Sequence, residues 1–510
     1  MASERHPPTE SDRPTESLDA LDFAPVGGWN AIYVDGEWRS RGDRDAHDVV
    51  NPATRAAVGE VPAGTTADVD EAYEVAAAAQ REWAQRAPDE RAQVVADARG
   101  LVEQYHEDLT HLFAVECGGA RLKADVELDL TEATMAVAED LAAATDPEDV
   151  EERESNVAGK RNLLFREPAG VVGVISPWNF PLYLSMRAVA PAVALGDAVV
   201  LKPSTHTAVV GGLALARLFD EAGLPDGVLN VVTGAGSTVG EAVASHPTAS
   251  VVSFTGSTEV GREVGAAAAE QLSTPALELG GNNAHVVTDD ADLDRAVDGG
   301  AFGSFTHQGQ ECISVNRHLV HESLYDEYVD RLAERAAALP MGDPREADVV
   351  VGPVQNESQR DAIVDLVERS VEQGAQIETG GGYDGWFVEP TVLSNVTNEM
   401  PIAREEHFGP VAPVVSFATD DEAVELANDT EYGLSGSVHC EDADRAMALA
   451  RRLDTGMVHV NDQPLNDEPH VPFGGVGASG IGRYNGEAIV EEFTETRWIS
   501  VQDEPREYPI

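Results

Sequence analysis

The 510-residue chain has only three lysines and three cysteines, and these shortages exclude several classes of protein. Three cysteines are too few for a disulfide framework, so we expect a reducing compartment and predict a cytoplasmic protein. No stretch reaches about 18 uncharged apolar residues, so no membrane span is expected. Residues 1–25 have no apolar segment of the kind that a secretory signal needs, and their Pro, Ser, Thr and acidic residues predict a disordered tail.

Positive charge is also scarce, because 34 Lys and Arg stand against 91 Asp and Glu, which gives a net charge of −57. Such a chain would repel a phosphate backbone and an anionic membrane, so neither nucleic acid nor membrane is an expected partner. Acid spread over the whole chain is typical of a surface that stays hydrated in concentrated salt. The alternative is a low-salt protein that binds cations or a basic partner, which would usually show an acidic block.

Hydrophobic periodicity predicts an α/β fold. Helical patterns cover residues 68–86, 89–117 and 122–145, after a hairpin at Ile32–Trp38. From residue 168, short apolar strands alternate with helices, and a second unit of the same kind begins near Leu279. Uniformly apolar strands in this alternation favour parallel sheets that are covered on both faces. Residues 491–502 alternate like a strand with no obvious local partner, so they could pair with another subunit.

Cys312 is the candidate nucleophile. It lies in HQGQECISVNR (307–317), where a glycine and polar neighbours are poor core residues, although a free cysteine is often simply buried. A thiolate is a natural nucleophile for a carbonyl carbon. We interpret Cys117 and Cys440 as structural.

Two polar residues accompany apolar strands. Burial of Glu278, in PALELGG (275–281), would raise its pKa and suit it to general-base work, unless backbone amides cap its carboxylate. Asn179, in SPWNFP (176–181), could donate a hydrogen bond to an oxyanion or could only form the turn before Pro181. Ligands bind at the carboxyl ends of strands in such sheets, so both positions are candidate site residues.

Two further features are candidate ligand contacts, although a lysine that extends from a strand end to the surface is common and the run 254–261 is not a GxGxxG motif. Lys202 follows the strand AVVL in a chain that otherwise uses Arg, which favours a position that needs an ammonium group. The run FTGSTEVG (254–261) joins a strand, a glycine turn and a helix N-terminus, whose free N–H groups suit a phosphate. The histidines form no metal-ligand pattern, so we predict no metal.

Together these segments resemble the aldehyde dehydrogenase superfamily. The matching motifs, in family order, are PWNFP (177–181), KPS (202–204), FTGSTEVG (254–261), LELGG (277–281), GQEC (309–312), EEHFGP (405–410), PFGG (472–475) and SGIGR (479–483). The resemblance implies a homodimer or homotetramer. It also implies a Rossmann-type cofactor domain (26–145 and 167–278), a catalytic domain (279–483) and a small β oligomerisation arm (146–166 and 484–502).

The resemblance also assigns roles to residues. Cys312 would be the nucleophile and Glu278 the general base, while Asn179 and the Cys312 N–H would form the oxyanion hole. The aldehyde would be oxidised to the acid through a thiohemiacetal and a thioester, with NAD or NADP as hydride acceptor. Contacts with the cofactor would come from Trp178, Lys202, Ser204, Thr205, Gly256, Ser257, Gly280, Glu406 and Phe408.

Residues 304–317 and 460–502 look most like the benzaldehyde and vanillin dehydrogenase branch, which implies an aromatic aldehyde. Phe180, Tyr183 and Phe473 could then line a ring-shaped pocket, or they could be ordinary core residues. Arg187 could instead steer a carboxylate, so a semialdehyde or an aliphatic aldehyde stays possible, as does a non-catalytic homologue.

The cofactor preference is open at this point. Thr205 stands where NAD-preferring relatives often have an acid that would hold the ribose 2′-hydroxyl and repel a 2′-phosphate. Its absence leaves NADP possible, with a lean towards NAD from the subgroup.

Lowering the salt concentration is expected to destabilise the protein, because unscreened carboxylates repel one another. The Tm in dilute buffer should fall below the Tm in molar KCl, while the assignment of the catalytic residues is unaffected by salt. Full stability and activity in dilute buffer would show that our interpretation of the composition is wrong.

Overall fold

The computed structural model describes residues 18–508, and its first elements are a hairpin, a second strand pair and a group of helices. The predicted hairpin is confirmed, since Val34 pairs with Glu37. The predicted helix 89–117 is two helices separated at Tyr105, where no glycine or proline signals the break. These elements are β1 (Ala31–Val34), β2 (Glu37–Ser40), β3 (Ala46–Val50), β4 (Ala57–Pro62), α1 (Thr66–Trp83), α2 (Pro88–Gln104), α3 (His106–Glu116) and α4 (Arg121–Leu141).

The next part of the chain forms most of the first sheet, whose order is β2-β1-β9-β8-β7-β10-β11-β21, with β21 at Gly480–Ile481. Strands β7 to β11 of this sheet run parallel. Both β7 and β8 are buried throughout, which is why their sequences are apolar without alternation. The elements are β5 (Glu151–Glu154), β6 (Lys160–Pro168), β7 (Val171–Ile175), α5 (Pro181–Leu195), β8 (Ala198–Lys202), α6 (Ala214–Glu221), β9 (Leu229–Val231), α7 (Glu241–Ala244), β10 (Val251–Thr255), α8 (Thr258–Glu270) and β11 (Thr274–Glu278).

A second sheet follows, in the order β14-β17-β18-β13-β12-β19-β20, and all its neighbouring pairs are parallel except β14 with β17. The α/β prediction is therefore confirmed for both units. The elements are β12 (Asn283–Val287), α9 (Leu293–Phe305), β13 (Val315–His321), α10 (Tyr325–Ala337), α11 (Glu357–Glu372), β14 (Gln376–Thr379), β15 (Tyr383–Asp384), β16 (Phe387–Val388), β17 (Thr391–Val396), α12 (Pro401–Arg404), β18 (Val411–Phe417), α13 (Asp420–Asn428), β19 (Gly436–His439), α14 (Ala443–Ala450) and β20 (His459–Val460).

After the second sheet the chain returns to the first one. Strand β21 (Gly480–Ile481) pairs antiparallel with β11, and Gly480 lies opposite Glu278. Helix α15 (Ala488–Phe493) then packs into the core of the first unit, where Tyr484 and Phe493 are fully buried. Residues 484–493 of the predicted arm segment 484–502 thus contribute to this core, and the assignment of the segment to an arm stays a prediction.

The last strand, β22 (Thr494–Gln502), forms a separate sheet in the order β22-β6-β5. It pairs antiparallel with β6 along its whole length, from Thr494 opposite Pro168 to Gln502 opposite Lys160. This partner is not local in the sequence, since the pairing joins segments more than 300 residues apart. Pairing of the sheet with another subunit stays a prediction.

The predicted tail ends earlier than residue 25. Leu18 and Phe23 are buried in the first core, and the Phe23 ring lies 4.6 Å from the ring of Tyr105. Residues 1–17 lie outside the described residues. Of the helices in the described range, none combines the length and the apolar character that a bilayer span needs. Residues 18–508 also contain no group of three His, Cys, Asp or Glu side chains placed to hold a metal ion.

Candidate active site

Two cavities meet at Cys312. We call the first, of about 360 Å³, the crevice; it lies at the carboxyl ends of the parallel strands of the first sheet. We call the second, of about 260 Å³, the side cavity. Asn179, Leu184 and Cys312 line both. Of the predicted site residues, the crevice also contains Trp178, Gly256, Ser257, Glu278, Gly280, Glu406 and Phe408, and the side cavity contains Phe180, Tyr183 and Phe473.

The loop before β13 presents Cys312 to both cavities. Three successive residues, His307, Gln308 and Gly309, have positive φ angles, and a β-carbon at Gly309 would lie 2.2 Å from the Gly409 carbonyl oxygen. The Cys312 carbonyl accepts a hydrogen bond of 2.8 Å from Asn283 Nδ2, which fixes the loop to β12. Burial raises the pKa of the Cys312 thiol, and the Arg187 guanidinium partly offsets that effect.

Glu278 ends β11 as a buried carboxyl group, with 2% of its surface exposed. Neither carboxylate oxygen has a hydrogen-bond partner among residues 18–508, so the alternative of a carboxylate capped by backbone amides does not hold there. Burial raises the pKa of Glu278 to about 8, against the lowering influence of Arg187 and Arg483. A carboxyl group with this pKa gains and loses its proton near pH 8 and can act as a base once it is ionised.

Gly474 lets the Glu278 carboxylate approach the backbone, and it was not among the predicted site residues. A β-carbon at Gly474 would lie 2.8 Å from Glu278 Oε1, and its φ of +147° is one that other residues rarely adopt. The two glycines of PFGG (472–475) could have pointed to a close backbone approach. The need for Gly474 becomes clear only in the fold, where the chain returns beside β11.

Asn179 is held at the start of α5 and bridges to the cysteine loop. Its Nδ2 donates to the Gln310 carbonyl at 2.9 Å, so one of the two N–H groups of the amide remains for a ligand. The side chain does not merely close a turn before Pro181, which was the alternative.

A buried carboxylate from α4 fixes the first turn of α5. Glu127 accepts hydrogen bonds from the backbone N–H groups of Leu182 and Tyr183, and Lys123 forms a buried ion pair with Glu127. Cys117 donates to the carbonyls of Trp178 and Asn179, both at 3.4 Å, in keeping with the structural role predicted for it. In a chain with three lysines, Lys123 stands out as clearly as Lys202, so a special position could have been predicted for it too.

The crevice has one polar and one aromatic wall. Ser257 lines the crevice and caps α8 by accepting the Val260 N–H, so this helix begins at the crevice wall. Glu406 accepts the Gly281 N–H at 3.1 Å, and burial raises its pKa to about 7. The ring of Trp178 lies edge-on to Phe408, with 5.3 Å between the centroids.

Three predicted cofactor residues lie beyond the lining of the crevice. Lys202 ends β8, is buried and has its pKa lowered to about 8 by that burial. Ser204 Oγ accepts the His206 N–H at 3.3 Å, and Thr205 lies between these two residues. His206 Nε2 lies 3.4 Å from Asn356 Nδ2.

The site therefore combines a crevice with a helix N-terminus, of the kind that binds dinucleotides, and a cysteine at which a second cavity opens. With a buried carboxyl group on the crevice wall, this arrangement defines a class of enzyme: one that uses a nucleotide cofactor and a thiol to act on a carbonyl compound.

The comparisons with known proteins name the family. Residues 38–499 match the model of the aldehyde dehydrogenase family. The chain is 44% identical to a benzaldehyde dehydrogenase of Bacillus subtilis, covering 94% of this chain and 98% of the relative. It is 46% identical to a vanillin dehydrogenase of Amycolatopsis, covering 96% and 100%. A solved betaine aldehyde dehydrogenase of Staphylococcus aureus with NAD+ superposes with a TM-score of 0.91 at 33% identity, covering 94% of this chain and 96% of that one. The chain belongs to the aldehyde dehydrogenase family, and it is an oxidoreductase with that family's fold.

Gly474→Ala is expected to push the Glu278 carboxylate out of place and to lower kcat by about 100-fold, as a shift of about 1 Å in a reacting group can do. Turnover can be followed as reduced cofactor, with circular dichroism to check the fold. Gly374→Ala is the matched control, because the φ of Gly374 is also positive, at +113°, and nothing lies within 4 Å of a β-carbon there. Unchanged kcat in a folded Gly474→Ala protein would show that turnover does not depend on the close approach of the Glu278 carboxylate to Gly474.

Proposed function

We propose that this protein oxidises an aromatic aldehyde, of the benzaldehyde type, to its carboxylic acid with NAD or NADP. The observation that carries the proposal is the meeting of the two cavities at Cys312, because one can hold a cofactor while the other admits a substrate. The relatives named for benzaldehyde and vanillin support the aromatic substrate. Phe180, Tyr183 and Phe473 on the side-cavity wall offer ring contacts to such a compound.

The crevice fits a nicotinamide dinucleotide. The N-terminus of α8, with Gly256 and Ser257, suits the pyrophosphate, and Glu406 can hold the nicotinamide ribose. Trp178, Gly280 and Phe408 would border the nicotinamide end, while Lys202, Ser204 and Thr205 would serve the adenosine ribose. When bound, the cofactor supplies the hydride acceptor. We favour NAD, because related structures hold it and one similar enzyme is named for it.

The residues of the chain divide the chemistry among them. The Cys312 thiolate adds to the aldehyde carbon, while Asn179 Nδ2 and the Cys312 backbone N–H donate to the oxygen that gains charge. After oxidation the acyl group is a thioester on the cysteine. Glu278 then takes a proton from water, which attacks the thioester and releases the acid.

The side cavity disfavours a semialdehyde substrate. Arg187, the residue that could have bound a carboxylate, is paired with Asp467 at 3.3 Å. The positive charge of Arg187 is therefore already balanced by Asp467, and it is not free to bind the carboxylate of a substrate.

The assembly and the environment are proposed on separate grounds. We propose a cytoplasmic homodimer or homotetramer, with the β22-β6-β5 sheet as its oligomerisation arm, and activity in concentrated salt. The exposed strand β22 supports the first point, since Trp498 at its centre has 62% of its surface exposed. The net charge of −57 supports the second.

A panel of aldehydes with NAD and then NADP, in molar salt, tests the proposed function. Benzaldehyde should give a higher kcat/KM than an aliphatic aldehyde, and Cys312→Ala should abolish turnover because it removes the nucleophile. Cys440→Ala is the matched control, since Cys440 is buried outside both cavities. No cofactor reduction with any aldehyde would refute the proposal.

Glu278→Gln should give a burst of about one reduced cofactor per active site and then stall, because an amide cannot draw the proton from water. In the wild-type enzyme, hydrolysis of the thioester should speed up as pH rises through about 8, since the pKa of Glu278 lies there and only the ionised carboxylate is a base. Stopped-flow absorbance would record both. Steady turnover by Glu278→Gln would assign the base to another group.

A further inference from the structure

The wall of the side cavity contains a buried ion pair that the proposed chemistry does not use. Arg187 Nη1 lies 3.3 Å from Asp467 Oδ2, and their side chains are only 2% and 8% exposed. Both residues line the side cavity together with Cys312. A substituent on a bound aldehyde would therefore meet this pair.

Asp467 is firmly held. Its Oδ2 accepts a hydrogen bond of 2.7 Å from the Tyr183 hydroxyl, and its Oδ1 accepts one of 2.6 Å from Asn485 Nδ2. These bonds fix the carboxylate beside the guanidinium of Arg187.

Arg187 has hydrogen-bond donors that no residue of the described chain accepts. Its guanidinium carbon lies 4.5 Å from the centroid of Phe473 and 5.0 Å from that of Tyr484, so aromatic rings hold it in place. Its Nε and Nη2 atoms have no hydrogen-bond partner in the part of the chain that the structure describes. Without Asp467, such a desolvated guanidinium would attract a carboxylate, to which it can bind with two parallel hydrogen bonds.

The remaining ionisable groups of the side cavity add no positive charge. Glu311 also lines it, and burial raises the pKa of Glu311 to about 8. Arg187 is the one cation among the lining residues that the structure describes, and Asp467 balances it. An anionic substrate would thus find no net positive charge on this wall.

We propose that Asp467 is a specificity-determining residue that makes the side cavity reject aldehydes carrying a carboxylate, because it neutralises Arg187 and repels the incoming anion. The inference rests on the proposed function, since it takes the side cavity as the substrate site. Specificity of this kind comes from an element directed against the wrong ligand as much as from contacts with the right one.

Asp467→Asn tests the proposal with little change in shape. Rotation of the Asn485 amide would let its Oδ1, which has no partner among the described residues, accept from the new amide. The ratio of kcat/KM for 4-carboxybenzaldehyde to that for benzaldehyde should rise by about ten-fold or more, because like-charge repulsion is removed and the guanidinium is freed. The same shift should appear for succinic semialdehyde against butanal. Asp462→Asn is the matched control, an exposed aspartate of the same loop that does not line the cavity.

A second variant and a binding measurement complete the test. Arg187→Met should shift the ratio the opposite way, and adding it to Asp467→Asn should abolish the gain. Terephthalate should become a tighter competitive inhibitor of Asp467→Asn than of the wild type, while benzamide should not. Unchanged ratios and inhibition in folded variants would overturn the inference. A ratio that shifts only for the aliphatic pair, with no oxidation of benzaldehyde by any form, would instead refute the aromatic substrate and leave the role of Asp467 standing.

Discussion

The short connection between the two sheets is the constraint on which the site depends. Strand β11 ends at Glu278 and β12 begins at Asn283, so only four residues, 279–282, join the two sheets where the chain first passes from one unit to the other. A β-carbon at Gly281 would lie 2.4 Å from the Cys312 carbonyl oxygen, so the cysteine loop crosses this connection in close contact. Asn283 donates to the carbonyls of both Cys312 and Ser314, at 2.8 Å each. The carboxyl group and the thiol are therefore placed by two different sheets through one short, well-anchored segment.

The charged residues that are buried differ from what the composition of the chain suggests. Two of the three lysines, Lys123 and Lys202, are buried, although lysine is among the residues least often found there. Glu278 and Glu311 are buried beside the cysteine, and burial raises the pKa of each to about 8. The net charge of −57 reflects the many acids of the chain, whereas the few acids buried beside the cysteine have a raised proton affinity, a perturbation that is common at functional sites.

Local features of the chain were predictable from the sequence, and long-range pairings were not. Apolar strands and the residues at their ends, such as Asn179 and Glu278, are visible because burial on both faces leaves an uninterrupted apolar run. The return of β21 to β11 is not visible, so the purpose of Gly474 beside Glu278 was missed. The register of β22 on β6 is likewise not visible, since the two strands lie more than 300 residues apart in the sequence. Glu127 carries no signal, because an acid in a polar helix is ordinary until its carboxylate is seen to hold α5.

Arg187 shows why residue type alone does not define a substrate. Read in its own segment, a buried arginine near the nucleophile suggests a carboxylate ligand, since guanidinium groups bind carboxylates well. Its partner Asp467 lies 280 positions further along the chain, and only the fold brings the two together. The net charge that a substrate meets on this wall therefore depends on Arg187 and Asp467 together, and not on either residue alone. A relative with the same arginine and an uncharged residue opposite it would present a positive wall, so one position on a distant loop can change the class of aldehyde that the site accepts while the catalytic residues stay as they are.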